Sequence, residues 1–301
     1  MNFAILITNY NKVQYIEDAI SSAVKQDARV VVVDDNSTDG SYELLEKIPD
    51  ITLLKTPSNS GPSIATKLGA DNIDEKYTIL LDGDDVLCPN TVEYFNHMFT
   101  NHDVDVVYTT PARHRTKDLR LETENAPLDA SYRFIDDPLS HYLQRQFSGT
   151  CLCIKSSLLK SALVTDIFVQ DIALAANVSR LSKAIILSSA NTHYYSPTSP
   201  DNITNDGLQM HKDLVRVYQY FKEFDDVRDN KHFSRYTRRI YGSLPPLSIQ
   251  FTWLTPRWKK RLIRWYRRYL MPTLDHDAID KDMRFFLDNA DTYFNSVDNP
   301  G

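Results

Sequence analysis

The sequence predicts an α/β fold in which a mostly parallel central sheet is flanked by helices, followed by a C-terminal helical extension. Short apolar runs alternate with helical segments through the first hundred residues, the spacing of strand–helix–strand units. One run, Val30–Val33, contains four valines and no polar residue, which favours a parallel strand covered on both faces. Beyond residue 207 the composition becomes basic and aromatic, which indicates a separate helical region.

The elements follow one another in a regular order from the N-terminus. The apolar runs predict strands at 3–8, 30–33, 51–54 and 77–81. Helices are predicted between them, at 16–24, 41–47 and about 64–73. In the first helix the apolar residues share one face, and residues 36–40 supply turn and cap chemistry before the second.

Polar residues stand where each predicted strand ends. These are Thr8–Asn9, Asp34–Asp35, the loop 58–63 and Asp82–Asp85. In open parallel sheets, ligands bind outside the carboxyl ends of the strands. We therefore expect the four segments to meet at one crevice.

The acidic turn at 82–85 predicts a cation site. Asp82, Asp84 and Asp85 crowd like charges together, and Gly83 gives the backbone room to bend. Closely spaced oxygen ligands suit Mg²⁺ or Mn²⁺, with phosphate oxygens completing the shell. A solvated turn is the alternative, but the apolar strand before it and Pro89 after it favour a ligand role.

The pair Asp34–Asp35 has two interpretations. It could cap the helix that begins at Ser41, although residues 36–39 could do so unaided. Alternatively, one of the two carboxylates accepts hydrogen bonds from a ribose or from a base N–H. The second interpretation is favoured.

Four motifs in this order carry a resemblance: ILITNYNKVQYIEDAISSAVKQ, VVVVDDNSTDGS, NSGPSIATKLG and YTILLDGDDVLCP. Together they resemble glycosyltransferase family 2, the inverting nucleotide-sugar transferases with a GT-A fold. The resemblance covers about residues 2–110 well and the middle of the chain loosely. It implies a nucleotide-sugar-binding half at 1–110 and an acceptor-binding and catalytic half at 111–206. The change in composition adds a helical region at 207–301.

The resemblance also implies roles on the donor side. Thr8 and Tyr10 would line the base pocket, and Asp35 or Asp34 would contact uracil or an equivalent base. Asp82 would lie near the ribose and diphosphate, with Asp84 the direct ligand of Mn²⁺ or Mg²⁺.

One departure concerns the helix after the 58–63 loop. Family members often carry Arg-Asn before the glycine that is Gly69 here, and this chain has Thr66-Lys67. Lys67 would then supply positive charge toward the diphosphate.

An inverting transfer needs a base that deprotonates the acceptor hydroxyl. Similar enzymes place it in a Glu-Asp pair at the start of a helix in the second half, a position held here by Gln170-Asp171. The resemblance thus implies Asp171 as the base, although an Asp at a helix N-terminus is also favourable to the helix dipole. Asp166 and the pair Asp136–Asp137 are weaker competitors.

His193 would be a third metal ligand. The alternative is a histidine packed among the aromatic residues beside it.

The segment 255–270 predicts a basic amphipathic helix. Its apolar stripe is formed by Trp258, Leu262, Trp265 and Tyr269, and arginine and lysine cover the remaining surface. Such a helix suits an anionic membrane surface. Alternatively, it docks on the catalytic domain, with its charges meeting the acidic residues that follow.

Composition bounds the partners and the compartment. The net charge of −6 and the acidic crevice argue against nucleic acid. Three cysteines form no even framework, and no signal peptide or spanning segment is expected, so we predict a cytoplasmic enzyme peripheral to the cytoplasmic face of the membrane.

The predicted function is metal-assisted transfer of a sugar, most simply from a UDP-sugar, to a hydroxyl of a glycan or lipid-linked acceptor. Lipopolysaccharide, capsule or teichoic acid precursors are such acceptors. Two alternatives stay open: a nucleotidyltransferase of sugar activation and a non-catalytic nucleotide-binding module. The first normally has a Gly-rich, basic phosphate loop near its first strand, which TNYNKVQY lacks.

Overall fold

The structure is a computed structural model that describes residues 2–113, 125–145, 147, 152–165, 167, 170–195, 207–244 and 275–298. The chain divides into two compact units, one made of residues 1–139 and 147–205 and the other of residues 140–146 and 206–301. The predicted basic helix at 255–270 and the competitor Asp166 lie outside the described residues.

The described strands form one sheet in the first unit. In chain order they are β1 Phe3–Asn9, β2 Arg29–Asp34, β3 Ile51–Lys55, β4 Tyr77–Asp82, β5 Val86–Leu87, β6 Val106–Arg113, β7 Tyr132–Ile135, β8 Leu152–Lys155 and β9 Ile185–Tyr195. Their order in the sheet is β3-β2-β1-β4-β8-β6-β9-β5, and β7 pairs with β9.

The described helices surround this sheet or belong to the second unit. In chain order they are α1 Ile16–Ala23, α2 Ser41–Leu45, α3 Pro62–Asp71, α4 Thr91–Asn101, α5 Pro138–Arg145, α6 Ser156–Ala162, α7 Gln170–Leu181, α8 Gly207–Phe221, α9 Asp225–Arg228, α10 Phe233–Ser243 and α11 His276–Asp298. The predicted α/β fold class is confirmed.

The sheet changes strand direction at its centre. Strands β3, β2, β1 and β4 are parallel, as predicted for the first hundred residues. Strand β8 then lies antiparallel between β4 and β6, and β9 runs parallel to β6. The parallel half therefore presents all its carboxyl ends at one edge.

Side chains alternate between two apolar layers, one on each face of the sheet. On one face Ile5 and Ile7 of β1 pack with Ile16 and Ile20 of α1. On the other face, Leu6 packs in the layer that includes α3. A Cβ atom at Gly69 would overlap the Leu6 side chain, so the glycine lets α3 lie close against the sheet.

The second unit is helical and has an aromatic core. The rings of Tyr142, Tyr218, Phe221 and Tyr236 pack against one another. Arg239 donates hydrogen bonds to the last carbonyls of α5, which satisfies acceptors at that helix end. Residues 140–146 thus belong with the C-terminal helices, an association that no local pattern predicted. Among the described residues, no helix combines the length and apolar character needed to cross a membrane.

Candidate active site

The strand register brings the predicted polar segments to one edge of the sheet. Asn9 at the end of β1 is paired with Asp34 at the end of β2, and Thr8 is paired with Asp82 at the end of β4. Thr8 is partly buried in β1, and Tyr10 follows directly, also partly buried. The expectation that these strand ends lie side by side is confirmed for β1, β2 and β4.

Asp34 is buried, and its carboxylate is surrounded by donors from the protein. It accepts hydrogen bonds from the Asn9 side-chain amide at 2.7 Å, from the Ser37 hydroxyl at 2.6 Å and from the Ser37 backbone N–H at 2.9 Å. These bonds tie the loop after β2 to the end of β1. The N-terminus of α2 uses a different acid, because Asp39 accepts from the backbone and hydroxyl of Ser41.

Asp35 orders a different loop. Its carboxylate accepts from the Thr56 hydroxyl at 2.6 Å and from the backbone N–H groups of Ser60 at 2.9 Å and Gly61 at 2.7 Å. Gly61 has φ +88°, and α3 begins at the next residue, Pro62. Asp35 thus fixes the loop between β3 and α3, and its role toward a base stays a prediction.

The turn after β4 is tight and polar. The backbone N–H of Gly83 donates to the Thr8 carbonyl at 3.0 Å, and that of Asp85 donates to the Asp82 carbonyl at 3.0 Å. A Cβ at position 83 would lie 3.0 Å from Asn9 Oδ1. Among the described residues this buried Asn9 oxygen has no hydrogen-bond partner, and it is an acceptor that lies against the turn.

A lysine that sequence reasoning missed lies at this turn. Lys12 Nζ is 2.9 Å from Asp84 Oδ2, and each side chain is only 13% exposed. Lys67, which the resemblance placed toward the diphosphate, pairs with Asp71 one turn along α3, where both side chains are about half exposed. This position gives no support to the predicted role of Lys67 in the donor site. Helical spacing could have indicated the second pair. Nothing local could have indicated the first, because its residues are 72 positions apart.

His193 reaches the same turn through strand pairing. It is the β9 partner of Leu87 in β5, and its Nε2 lies 3.6 Å from Asp85 Oδ2. Burial lowers the pKa of His193 to about 4, so the ring is neutral at physiological pH and the contact is not an ion pair. The structure therefore places His193 beside Asp85.

The donor set fits a divalent cation that shares its shell with a ligand. Within the part of the chain that the structure describes, no three His, Cys, Asp or Glu side chains form a closed metal cluster. Mg²⁺ and Mn²⁺ are commonly held by one or two carboxylates, with phosphate oxygens and water supplying the rest. Asp82 and Asp84 match that pattern, and in the structure Asp84 has the Lys12 ammonium group as a cationic partner.

Asp171 lies in the first turn of α7, and this turn is joined to α3. Thr66 donates to the Gln170 side chain at 2.9 Å, and Ser63 donates to the Ile167 carbonyl at 2.7 Å. Because α3 starts at the loop that Asp35 orders, α7 begins at the same edge as the strand ends.

The environment of Asp171 suits a base. Burial raises the pKa of its carboxyl, an effect that the Ile172 backbone N–H at 3.0 Å opposes. Of the competitors, Asp136 is exposed in a bend after β7. The more buried position of Asp171 therefore favours it over Asp136 as the base.

Comparison with known proteins places this site in a family. A model of Glycosyl transferase family 2 matches residues 4–161, just over half of the chain. An uncharacterized glycosyltransferase of Haemophilus influenzae is 32% identical over 107 residues, which are 33% of this chain and 43% of the relative. The poly(ribitol-phosphate) β-N-acetylglucosaminyltransferase TarS of Staphylococcus aureus is 28% identical over 116 residues, 36% of this chain and 20% of TarS. The match thus spans less than half of these relatives.

Solved structures share the fold over nearly the whole chain. S. aureus TarS 1–349 in complex with UDP superposes with a TM-score of 0.60 at 17% identity, covering 97% of this chain and 92% of that one. The mannosyltransferase PcManGT of Pyrobaculum calidifontis, in complex with GDP-Man and Mn²⁺, superposes with a TM-score of 0.57 at 16% identity, covering 98% and 86%. The fold is of the GT-A type, and the chain belongs to glycosyl transferase family 2.

Proposed function

We propose that the protein transfers a sugar, with inversion, from a UDP-sugar to a hydroxyl of a glycan or lipid-linked acceptor in cell-surface polysaccharide biosynthesis. The observation that carries the proposal is that two acidic groups follow elements linked to the parallel half of the sheet: the turn that ends β4, and Asp171 at the start of α7, which is hydrogen-bonded to α3. The first can hold the donor diphosphate through a cation, and the second can accept a proton. A single displacement needs both groups.

The relatives support the donor and the acceptor class. TarS structures contain UDP and UDP-GlcNAc, and related chains are named for teichoic acid synthesis, including GgaA of Bacillus subtilis. The mannosyltransferase contains GDP-Man instead. A uracil nucleotide is therefore the first donor to test, and a phosphate-containing or other surface polymer is the first acceptor class.

On the donor side, Thr8 and Tyr10 would contact the nucleoside beside β1. Asp34 and Asp35 would support that pocket by ordering the loops around it, in addition to the predicted contact of Asp35 with the base. Asp82 and Asp84 would hold Mn²⁺ or Mg²⁺, which when bound offsets the charge of the leaving diphosphate.

On the acceptor side, Asp171 would take the proton of the attacking hydroxyl. The acceptor oxygen forms a bond to the anomeric carbon as the bond from that carbon to the diphosphate oxygen breaks, and the hydroxyl proton moves to Asp171. Its raised pKa makes the carboxylate a stronger base than an ordinary Asp. His193 would support the turn through Asp85 or complete the metal shell.

The segment 255–270 would bring the enzyme to an anionic membrane surface, where a lipid-linked acceptor resides. Its basic, tryptophan-containing pattern supports this role. Co-sedimentation with vesicles containing phosphatidylglycerol, but not with purely zwitterionic vesicles, is the expected result. Equal sedimentation with both kinds of vesicle would contradict the electrostatic part of the proposal.

A thermal-unfolding panel tests the donor site. UDP, GDP, CMP and TDP, each with and without Mn²⁺, are compared by their effect on the unfolding midpoint. A ligand at about 100 times its dissociation constant stabilises the native state by about 2.7 kcal/mol. We expect a Mn²⁺-dependent rise with UDP that is lost in Asp84→Asn. A rise with UDP that needs no metal and survives Asp84→Asn would contradict the metal-assisted site.

A further inference from the structure

We infer that Lys12 is an internal counter-ion of Asp84, which makes divalent-cation binding depend on prior or simultaneous binding of a nucleoside diphosphate. This inference rests on the proposed function and assigns Lys12 a positioning role at the same site. The starting observation is the 2.9 Å ion pair between Lys12 Nζ and Asp84 Oδ2, with both side chains largely shielded from solvent.

The backbone around Lys12 is anchored on both sides. Asn11 accepts from the Thr38 backbone at 2.8 Å, and its own N–H donates to the Ser37 hydroxyl at 3.0 Å. Val13 N–H donates to Asp39 at 2.9 Å. Asn11 itself has φ +52°, a left-handed conformation that asparagine tolerates. The Cα of Lys12 is therefore held in place, and the side chain is the part that can move.

An ammonium group and a divalent cation cannot share Asp84 at low cost. A metal ion bonded to Asp84 would lie within a few ångströms of Lys12 Nζ in its present position, and partial burial leaves their repulsion poorly screened. Metal binding alone therefore requires Lys12 to give up its ion pair with Asp84. This lowers the affinity of the empty site for metal.

A nucleoside diphosphate changes that balance. Its anionic oxygens bind beside the metal, and lysine has a long, flexible stem and three donors that can turn toward phosphate. Lys12 then exchanges one anionic partner for another, so diphosphate binding removes the cost of metal binding. By linkage, the metal strengthens diphosphate binding by the same factor.

The chain offers a matched control. Lys67 also pairs with an aspartate at 2.9 Å, but the pair Lys67–Asp71 is exposed on α3 and spans a single helical turn. Replacing Lys67 by methionine removes the same charge without touching the acidic turn. Any effect of total charge on Mn²⁺ binding will appear in both variants, whereas an effect of the Asp84 counter-ion will appear only at Lys12.

The experiment titrates Mn²⁺ and follows the electron paramagnetic resonance signal of the unbound ion, with and without saturating UDP. The proteins are the full wild-type chain, Lys12→Met, Lys12→Arg and Lys67→Met. We expect UDP to tighten Mn²⁺ binding to the wild type by about tenfold or more. In Lys12→Met, Mn²⁺ alone should bind about tenfold or more tightly than to the wild type, and UDP should add little. Lys12→Arg and Lys67→Met should resemble the wild type.

Two outcomes separate this inference from the proposed function. If UDP promotes Mn²⁺ binding equally in the wild type and in Lys12→Met, the counter-ion role is overturned while the metal-assisted donor site stands. If no protein binds Mn²⁺ with or without UDP, the proposed donor site fails as well. Unfolding midpoints verify that each variant is folded, and Lys12→Gln replaces Lys12→Met if the latter does not fold.

Discussion

The two aspartate clusters at the crevice look alike in sequence but differ in what surrounds them. Asp34 ends β2 and Asp35 follows it, and both are almost fully buried. Protein donors meet both carboxylates. Asp82 ends β4, Asp84 follows it, and both retain partial exposure. The ion pair of Asp84 is to the long side chain of a lysine, Lys12.

The difference shows how the same chemistry serves two purposes. The first cluster accepts hydrogen bonds from backbone and hydroxyl groups that are fixed in place, and these bonds order two loops. A flexible cation leaves the second cluster able to exchange its partner for a ligand. The role of a carboxylate at a strand end therefore depends on the rigidity of its partners, and not on its place in the motif. The substitutions below test this contrast.

The largest effect is expected at Asp171, the proposed base. Asp171→Asn removes the proposed proton acceptor while keeping the side-chain volume, and turnover should fall by about 10²–10⁴-fold. Steady-state rates with the donor identified in the thermal panel measure this. Asp136→Asn, which changes an exposed competitor, should retain turnover. Near-normal turnover by a folded Asp171→Asn would refute its role as the base.

The contrast between the clusters predicts losses of stability that differ in size. Asp35→Asn replaces a buried carboxylate that accepts three hydrogen bonds, and it should lower the free energy of unfolding by about 3 kcal/mol. For a unit of this size, that loss corresponds to a midpoint about 6–12 °C lower.

Asp84→Asn is the comparison, since it removes one ion pair to a flexible lysine and should lower the midpoint of the ligand-free protein clearly less than Asp35→Asn, while abolishing the Mn²⁺-dependent response to UDP. Similar destabilisation by both substitutions would remove the contrast.

A smaller effect concerns pH and Asp171. Burial raises the pKa of this carboxyl above its ordinary value of 3.8 in the folded state, so holding it ionised at neutral pH costs stability. Asp171→Asn should therefore be slightly more stable than the wild type at pH 7. The advantage should shrink as pH falls through the raised pKa and vanish below about 3.8, where the wild type is protonated in both states. Denaturant titrations across this range measure it, and an advantage independent of pH would contradict the assignment.

The smallest effect is expected at the link between α3 and α7. Thr66→Val deletes the hydrogen bond to Gln170 and should lower turnover several-fold, with a stability loss of about 1 kcal/mol and an unchanged Michaelis constant for the donor. The neighbouring Lys67→Met, on the exposed face, should have no effect. A selective rise in the donor Michaelis constant of Thr66→Val would place this link on the donor side instead.

Much of this site was accessible from local patterns. The apolar runs predicted β1–β4 to within a residue or two, because a strand that is buried on both faces is apolar along its whole length. The crevice edge followed, since parallel strands end together. The α7 start at Gln170-Asp171 was also predicted, from the resemblance. Local patterns did not predict that β8 pairs antiparallel with β4, or that residues 140–146 belong to the second unit.

The sequence by itself determined the α/β class, the family and the set of acids at the crevice, because these depend on periodicity and on motifs contiguous in the chain. Only the tertiary structure decided which residues around the site are partners of one another. Lys12 meets Asp84, Asp35 meets Gly61 and Thr66 meets Gln170 across 72, 26 and 104 positions. Hydrogen bonds and ion pairs act over about 3 Å in space, so residues far apart in the sequence form them only after the fold has brought them together.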